Sequence, residues 1–266
     1  MQDFAYHRPR SIADAVSLRR SAADGSYLAG GMTLIPTLKQ RLAAPSDLVD
    51  LGALGELAGV RLESGMMTIG AMTRHAVVAA SQDARRAIPA LAALAGQIGD
   101  AQVRNRGTIG GSVANSDPAA DYPAAVIALG ATIRTDRREI AADGYFRGLF
   151  ETALEPGELI REIAFPVPAR AAYRKFRHPA SRYAVAGVFV ADFGGSRVRV
   201  GVTGAGPCAF RWSALEHALS SALDPAAANG APLDHGRFNS DLAASAEFRA
   251  QLVRVMAKRA LESLSG

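Results

Sequence analysis

Cysteine is almost missing from this chain, with Cys208 standing alone among 266 residues. A single thiol excludes an internal disulfide. It also excludes a cysteine-ligated iron–sulfur cluster or zinc site built from this chain alone. Any electron transfer would then require an organic cofactor or metals on another chain. Lysine is scarce too: Lys39, Lys175 and Lys258 are the only three, so the net charge of +5 rests on scattered arginines. Aromatic residues make up 6% of the chain, and no basic run alternates with them to form a stacking platform for nucleic acid. No apolar run approaches the roughly 18 residues that a membrane helix requires. The opening stretch, Met1 to Pro9, is polar and contains proline, unlike a signal peptide. A soluble, cytoplasmic protein is expected. No Ser/His/Asp or Cys/His constellation stands out, so no catalytic residue and no metal ligand is assigned.

What the chain has in quantity is apolar residues, 49% against 21% charged, an ordinary globular balance with ample core. Its length predicts two or three compact units. Ser11 with Asp14 three positions on predicts a capped helix that ends near Gly25. A short strand, Tyr27-Leu28-Ala29, runs into Gly30-Gly31, after which Leu34, Ile35, Leu38 and Leu42 repeat at helical spacing. Leu48 to Leu51 reads as a further strand. Residues 60–62 and 67–69 read as a hairpin, 73–80 and 86–95 as helices. Asp121-Tyr122-Pro123 predicts another helix, with Asp121 as N-cap and its end at Gly130. Strands are expected at 131–133 and 159–163, and Pro166-Val167-Pro168 marks a linker. Beyond it the pattern predicts three strands at 171–176, 185–193 and 197–203, then helices at 212–223 and 245–264 around a loop at 224–241.

The densest signal is Gly107-Thr108-Ile109-Gly110-Gly111-Ser112, followed by Ala114-Asn115 and Asp117-Pro118-Ala119-Ala120-Asp121. Its first half strips side chains from a turn so that backbone N–H groups can approach a ligand, and Thr108 and Ser112 add hydroxyls on either side. A second small-residue turn, Ala29-Gly30-Gly31-Met32-Thr33, lies upstream between a strand end and a helix start, where unpaired N–H groups favour negative charge. Two such loops could close on one anion from opposite sides, and a diphosphate has the right size. Neither glycine turn matches GxGxxG or the P-loop pattern GxxxxGK, which removes the commonest nucleotide sites. The plain alternative is that the glycines make tight turns and that Asn115, Asp117 and Asp121 cap them.

Taken together, these motifs resemble the FAD-binding medium subunit of the molybdenum hydroxylases, a group that includes carbon monoxide dehydrogenase and xanthine dehydrogenase-like enzymes. The resemblance covers the whole chain. It extends to Ile69-Gly70-Ala71-Met72-Thr73, Glu155-Pro156-Gly157-Glu158-Leu159-Ile160, Tyr173-Arg174-Lys175-Phe176-Arg177, Tyr183-Ala184-Val185-Ala186-Gly187-Val188 and Glu247-Phe248-Arg249-Ala250-Gln251-Leu252. It implies an α+β fold of the vanillyl-alcohol-oxidase (PCMH) type. Two subdomains, 1–54 and 55–168, would clasp FAD, and a C-terminal domain, 169–266, would carry a three-stranded sheet with helices.

By position, Ala29, Gly30, Gly31, Met32 and Thr33, and Thr108, Ile109, Gly110, Gly111 and Ser112, would be the two pyrophosphate loops, with Asn115 beside the second. Asp121 would lie near the ribityl or ring edge, and Tyr183 would cover one face of the isoalloxazine. Leu159 and Lys175 carry over as well, although an apolar strand residue and a strand-end lysine also have ordinary structural explanations. Two positions depart from the family pattern. Met32 offers no polar side chain, and Arg182 stands where an acidic residue is frequent, so that a cation there would favour the reduced flavin. The five histidines are dispersed and read as surface or capping residues, though His75 and His178 could approach the ring. The function implied is electron transfer. A large partner would carry a molybdenum cofactor, a small partner two [2Fe–2S] clusters, and FAD on this chain would pass electrons to an external acceptor. The alternatives are a self-contained flavin oxidase or reductase of the same fold, and a scaffold that has lost FAD.

Overall fold

Three sheets of three or more strands, each drawn from a consecutive stretch of chain, organise the molecule into three lobes. The computed structural model describes residues 1–265. The first lobe holds β1 (Ala5–His7), α1 (Ile12–Ser21), β2 (Gly25–Leu28), α2 (Leu34–Lys39) and β3 (Asp47–Asp50). Its sheet is parallel, in the order β1-β3-β2. Ser11 caps α1 as its spacing predicts, its Oγ accepting from the Asp14 N–H at 3.1 Å. The helix stops at Ser21, however, and Gly25 opens β2 instead of closing the helix. The helical repeat after Gly31 does not reach Leu42: α2 ends at Lys39, Arg41 turns left-handed at φ 61°, and Leu42 is left in solvent.

The second lobe begins with the predicted hairpin, β4 (Val60–Glu63) and β5 (Met66–Gly70). Six helices follow: α3 (His75–Ala80), α4 (Gln82–Ala87), α5 (Pro89–Gly96), α6 (Ala101–Arg106), α7 (Ile109–Asn115) and α8 (Tyr122–Ala128). Then come β6 (Thr132–Thr135), β7 (Glu139–Ala141), the small hairpin β8 (Phe146–Gly148) and β9 (Glu151–Thr152), and β10 (Ile160–Pro166). The main sheet is antiparallel, in the order β4-β5-β10-β6-β7. Where two helices were expected between 73 and 95 there are three, because Ser81 caps a new one through the Ala84 N–H and Pro89 starts another. Helix α6 buries no residue, so it left no apolar periodicity to find.

The third lobe is β11 (Arg170–Arg177), β12 (Ala184–Asp192), β13 (Val198–Thr203) and β14 (Phe210–Arg211), with α9 (Ser213–Ala218), α10 (Ala227–Gly230) and α11 (Ala246–Ser265). Its sheet has four strands where three were expected, because the two-residue β14 pairs with β13. Every residue of β12 is buried. Val188 and Val190 face the core under α11, while Phe189 and Ala191 join the core of the second lobe. Helix α8 lies against β13 so closely that a Cβ at Gly201 would stand 2.1 Å from the Ala124 carbonyl oxygen. The second and third lobes therefore share one packed interior, and burying each large apolar side chain there contributes about 1.5–3 kcal/mol.

Candidate functional site

The first glycine turn, residues 29–33, spans the gap between β2 and α2. Gly31 takes φ 73°, a left-handed conformation that glycine adopts without penalty. No hydrogen bond within the chain engages the N–H groups of Gly30, Gly31, Met32 or Thr33 among the described residues. Gly30 packs on the other loop: a Cβ there would meet the Arg106 carbonyl oxygen at 2.3 Å and the Gly107 Cα at 2.7 Å.

The second motif is not a free turn but the first turn of α7. Thr108 is its N-cap, with Oγ1 accepting from the Gly111 N–H at 3.2 Å. The Ile109 N–H donates to the Thr73 carbonyl at 3.1 Å and the Gly110 N–H to the Ala71 carbonyl at 2.8 Å, so neither amide is available to a ligand. Gly110 must be glycine because a Cβ would strike Ala71 at 2.5 Å, while Gly111 faces the Ala29 methyl, which its own Cβ would meet at 3.5 Å. The two loops, about eighty residues apart in sequence, are in contact.

Between them opens a cleft of about 820 Å³ walled by all three lobes, a size typical of cofactor pockets. Ala29 to Thr33, Thr108, Gly110, Gly111, Ser112, Asn115, Asp121, Leu159 and Tyr183 line it. Ile109 and Lys175 do not. Ile109 is fully buried in the core, and the Lys175 ammonium is buried behind Asp121, 2.9 Å from its carboxylate. Leu159 joins the core of the first lobe while facing the cleft.

Asp121 does not cap α8. Its backbone is already helical at φ −76°, ψ −45°, and its carboxylate accepts from the Tyr173 hydroxyl at 2.5 Å and from Lys175 at 3.0 Å. Burial raises its pKa against the opposing pull of Lys175 and Tyr173. Asp117 is likewise raised by burial, and its side chain accepts from the Ala119 N–H at 2.8 Å.

His75 is neither on the surface nor a cap. Its ring is buried in the cleft wall, its centroid 5.4 Å from that of Tyr122, and its Nδ1 has no hydrogen-bond partner. Burial first, and then the Arg104 charge, lower its pKa to about 4, which leaves it neutral near pH 7. His178, by contrast, does cap a turn, its Nδ1 accepting from the Ala180 and Ser181 N–H groups at 3.3 Å each.

Sequence reasoning missed Glu158 and Tyr27. The Glu158 side chain is fully buried at the cleft edge and accepts from Thr135, Arg138 and the Glu155 N–H. Burial would raise its carboxyl, but those donors outweigh it and bring the pKa down to about 2. The Tyr27 hydroxyl donates to the Gly157 carbonyl at 3.1 Å, tying the first lobe to the second. The side chains that hold Glu158 lie 20 and 23 residues away and the Tyr27 partner lies 130 away, so no local pattern exposes either role.

The residues present fit FAD. The free amides of the first loop, and a turn on α7 that leaves Gly111 without a side chain, suit the dianionic bridge of a dinucleotide. Comparison with known proteins agrees. Residues 2–168 match the FAD binding domain in molybdopterin dehydrogenase. The chain belongs to that family. The carbon monoxide dehydrogenase medium chain of Afipia carboxidovorans is 38% identical, over 97% of this chain and 96% of the relative. That of Hydrogenophaga pseudoflava is 35% identical over 98% and 96%. In a solved structure of the Hydrogenophaga pseudoflava enzyme lacking the Mo-pyranopterin moiety of its cofactor, one chain superposes with a TM-score of 0.90, at 36% identity over 99% of this chain and 98% of that one. The chain is thus an FAD-binding oxidoreductase subunit of the molybdopterin-dependent dehydrogenases, with the α+β fold of that group. No helix among its described residues is long and apolar enough to cross a membrane.

Proposed function

We propose that this chain is the electron-transfer subunit of a heteromeric molybdenum hydroxylase. A large partner would carry the molybdenum cofactor, and a small partner the [2Fe–2S] clusters from which electrons arrive. The assembled enzyme would be cytoplasmic, and the chain would divide into FAD-clasping subdomains 1–54 and 55–168 and a C-terminal domain 169–266. The observation that carries this reading is the contact between two loops from separate lobes, with unengaged amides on the first, at the floor of a cofactor-sized cleft.

In this reading the chain holds and orients, and the FAD it binds would supply the redox chemistry that relays electrons to an external acceptor. The amides of Gly30 to Thr33 and the Ser112 hydroxyl would bind the diphosphate, at roughly 1.5–3 kcal/mol for each charge-assisted bond. Leu159 and Tyr183 would flank the ring, and Asp121 would accept from its polar edge or the ribityl chain. The lone Cys208 leaves iron–sulfur ligation to another chain. Purification of the native complex with metal and flavin analysis tests this. Molybdenum, iron and FAD in one complex, with flavin reduced by organic substrate only when the partners are present, are expected. Direct reduction of the isolated flavoprotein by an organic substrate would replace this reading with a self-contained oxidase.

A further inference from the structure

The third lobe reaches the cleft through one turn, residues 178–183, which joins β11 to β12. The turn closes on itself: the His178 N–H donates to the Tyr183 carbonyl at 2.8 Å and the Arg182 N–H to the His178 carbonyl at 2.9 Å. Arg182 is left-handed at φ 63°, a conformation uncommon for a residue with a side chain. The next residue is Tyr183, half-exposed on the cleft wall. A strained tip that presents an aromatic ring needs something to hold it in place.

Lys175 supplies the hold. Its side chain is 2% exposed, and its Nζ donates to the Asp121 carboxylate at 3.0 Å, the Gln97 carbonyl at 3.1 Å and the Arg182 carbonyl at 3.0 Å. An ammonium has three N–H donors, and here all three are taken, by the entry to α8, the end of α5 and the strained tip itself. None remains for a ligand. Asp121 is fixed independently by the Tyr173 hydroxyl, so the acceptor on the second lobe stays in place. Three divergent acceptors suit the tetrahedral head of lysine rather than the planar fork of arginine.

From this arrangement we infer that Lys175 is a positioning residue. Its ammonium latches the 178–183 turn of the third lobe to the second lobe, and so fixes where Tyr183 meets the flavin ring. The inference rests on the FAD reading for its purpose but on the protein alone for its geometry.

The test uses the full chain with Lys175→Met and with the double variant Lys175→Met/Asp121→Asn, which removes the carboxylate that the single change leaves buried without its cation. In the FAD-free chain, amide hydrogen exchange in residues 178–183 should rise about tenfold in both variants, with β12 and α8 unchanged. In the FAD-loaded chain, flavin fluorescence, which an apposed tyrosine quenches, should rise toward that of Tyr183→Ala. Adding Lys175→Met to Tyr183→Ala should raise it no further. Weakened FAD binding with unchanged exchange in 178–183 would show a direct cofactor contact and overturn the latch. Faster exchange throughout the chain would show an ordinary core ion pair and overturn it too. A wild-type chain that takes up no FAD would sink the functional reading, while the exchange comparison would still decide the latch.

Discussion

Gly30 and Gly111 sit in similar glycine pairs for different reasons, and substitution should separate them. A Cβ at Gly30 would enter the Arg106–Gly107 backbone, which cannot move aside. Gly30→Ala should therefore cost about 1–3 kcal/mol of stability and abolish FAD retention, read by thermal denaturation and flavin absorbance. A Cβ at Gly111 meets only the Thr108 hydroxyl at 3.0 Å and the Ala29 methyl at 3.5 Å. Gly111→Ala should leave the melting temperature within a few degrees while weakening FAD binding. Glu158 carries the acid dependence. Its carboxyl titrates near 4.5 when free and at about 2 in the folded chain, so between those values protons bind the unfolded chain preferentially. Its contribution is complete above about pH 5 and drains away as the pH falls toward 2. His75 acts in the same direction at higher pH, because its proton affinity is also depressed by folding, from 6.5 to about 4. With the partly exposed Arg138 discounted, Glu158→Gln should remove on the order of 2–3 kcal/mol of stability at pH 7 and flatten the acid limb of a denaturation series from pH 7 to 3.

At the scale of elements, α11 does more than cover the third sheet. Arg249 is buried on it and donates to the Val185 and Gly204 carbonyls at 2.7 Å each, and to both oxygens of Asp241. Arg249→Met leaves those two carbonyls without donors and should cost about 3–5 kcal/mol by chemical denaturation. Elements of this kind show how far sequence reaches. The strands of the third lobe, the capped α1 and the hairpin β4–β5 were legible, because an alternating or periodic apolar pattern is local. Helix α6, which buries nothing, and the two-residue β14 carried no such pattern. In the site, the two glycine motifs were legible as composition. Their roles were not, since Gly30 and Gly110 are demanded by distant backbone at Arg106 and Ala71 as much as by a ligand. Asp121 followed the same rule: it reads as a cap, yet Tyr173 and Lys175, more than 50 residues away, claim its carboxylate.

Taken whole, the molecule is a cleft whose walls come from three lobes, so cofactor and fold should be thermodynamically linked. FAD at about 100 times its Kd should stabilise the folded chain by about 2.7 kcal/mol, raising the melting temperature by roughly 5 °C or more. Gly30→Ala should erase that shift. The staple at Arg249 reaches this linkage as well. The Thr203 hydroxyl donates to the Pro118 carbonyl, the Gly204 N–H to the same oxygen, and the Ala184 N–H to Ala119, so the segment leading into Asp121 hangs from the ends of β12 and β13. Those ends are pinned by the Arg249 side chain on α11. A change on α11, which contributes no residue to the cleft wall, should therefore be felt there as faster flavin release.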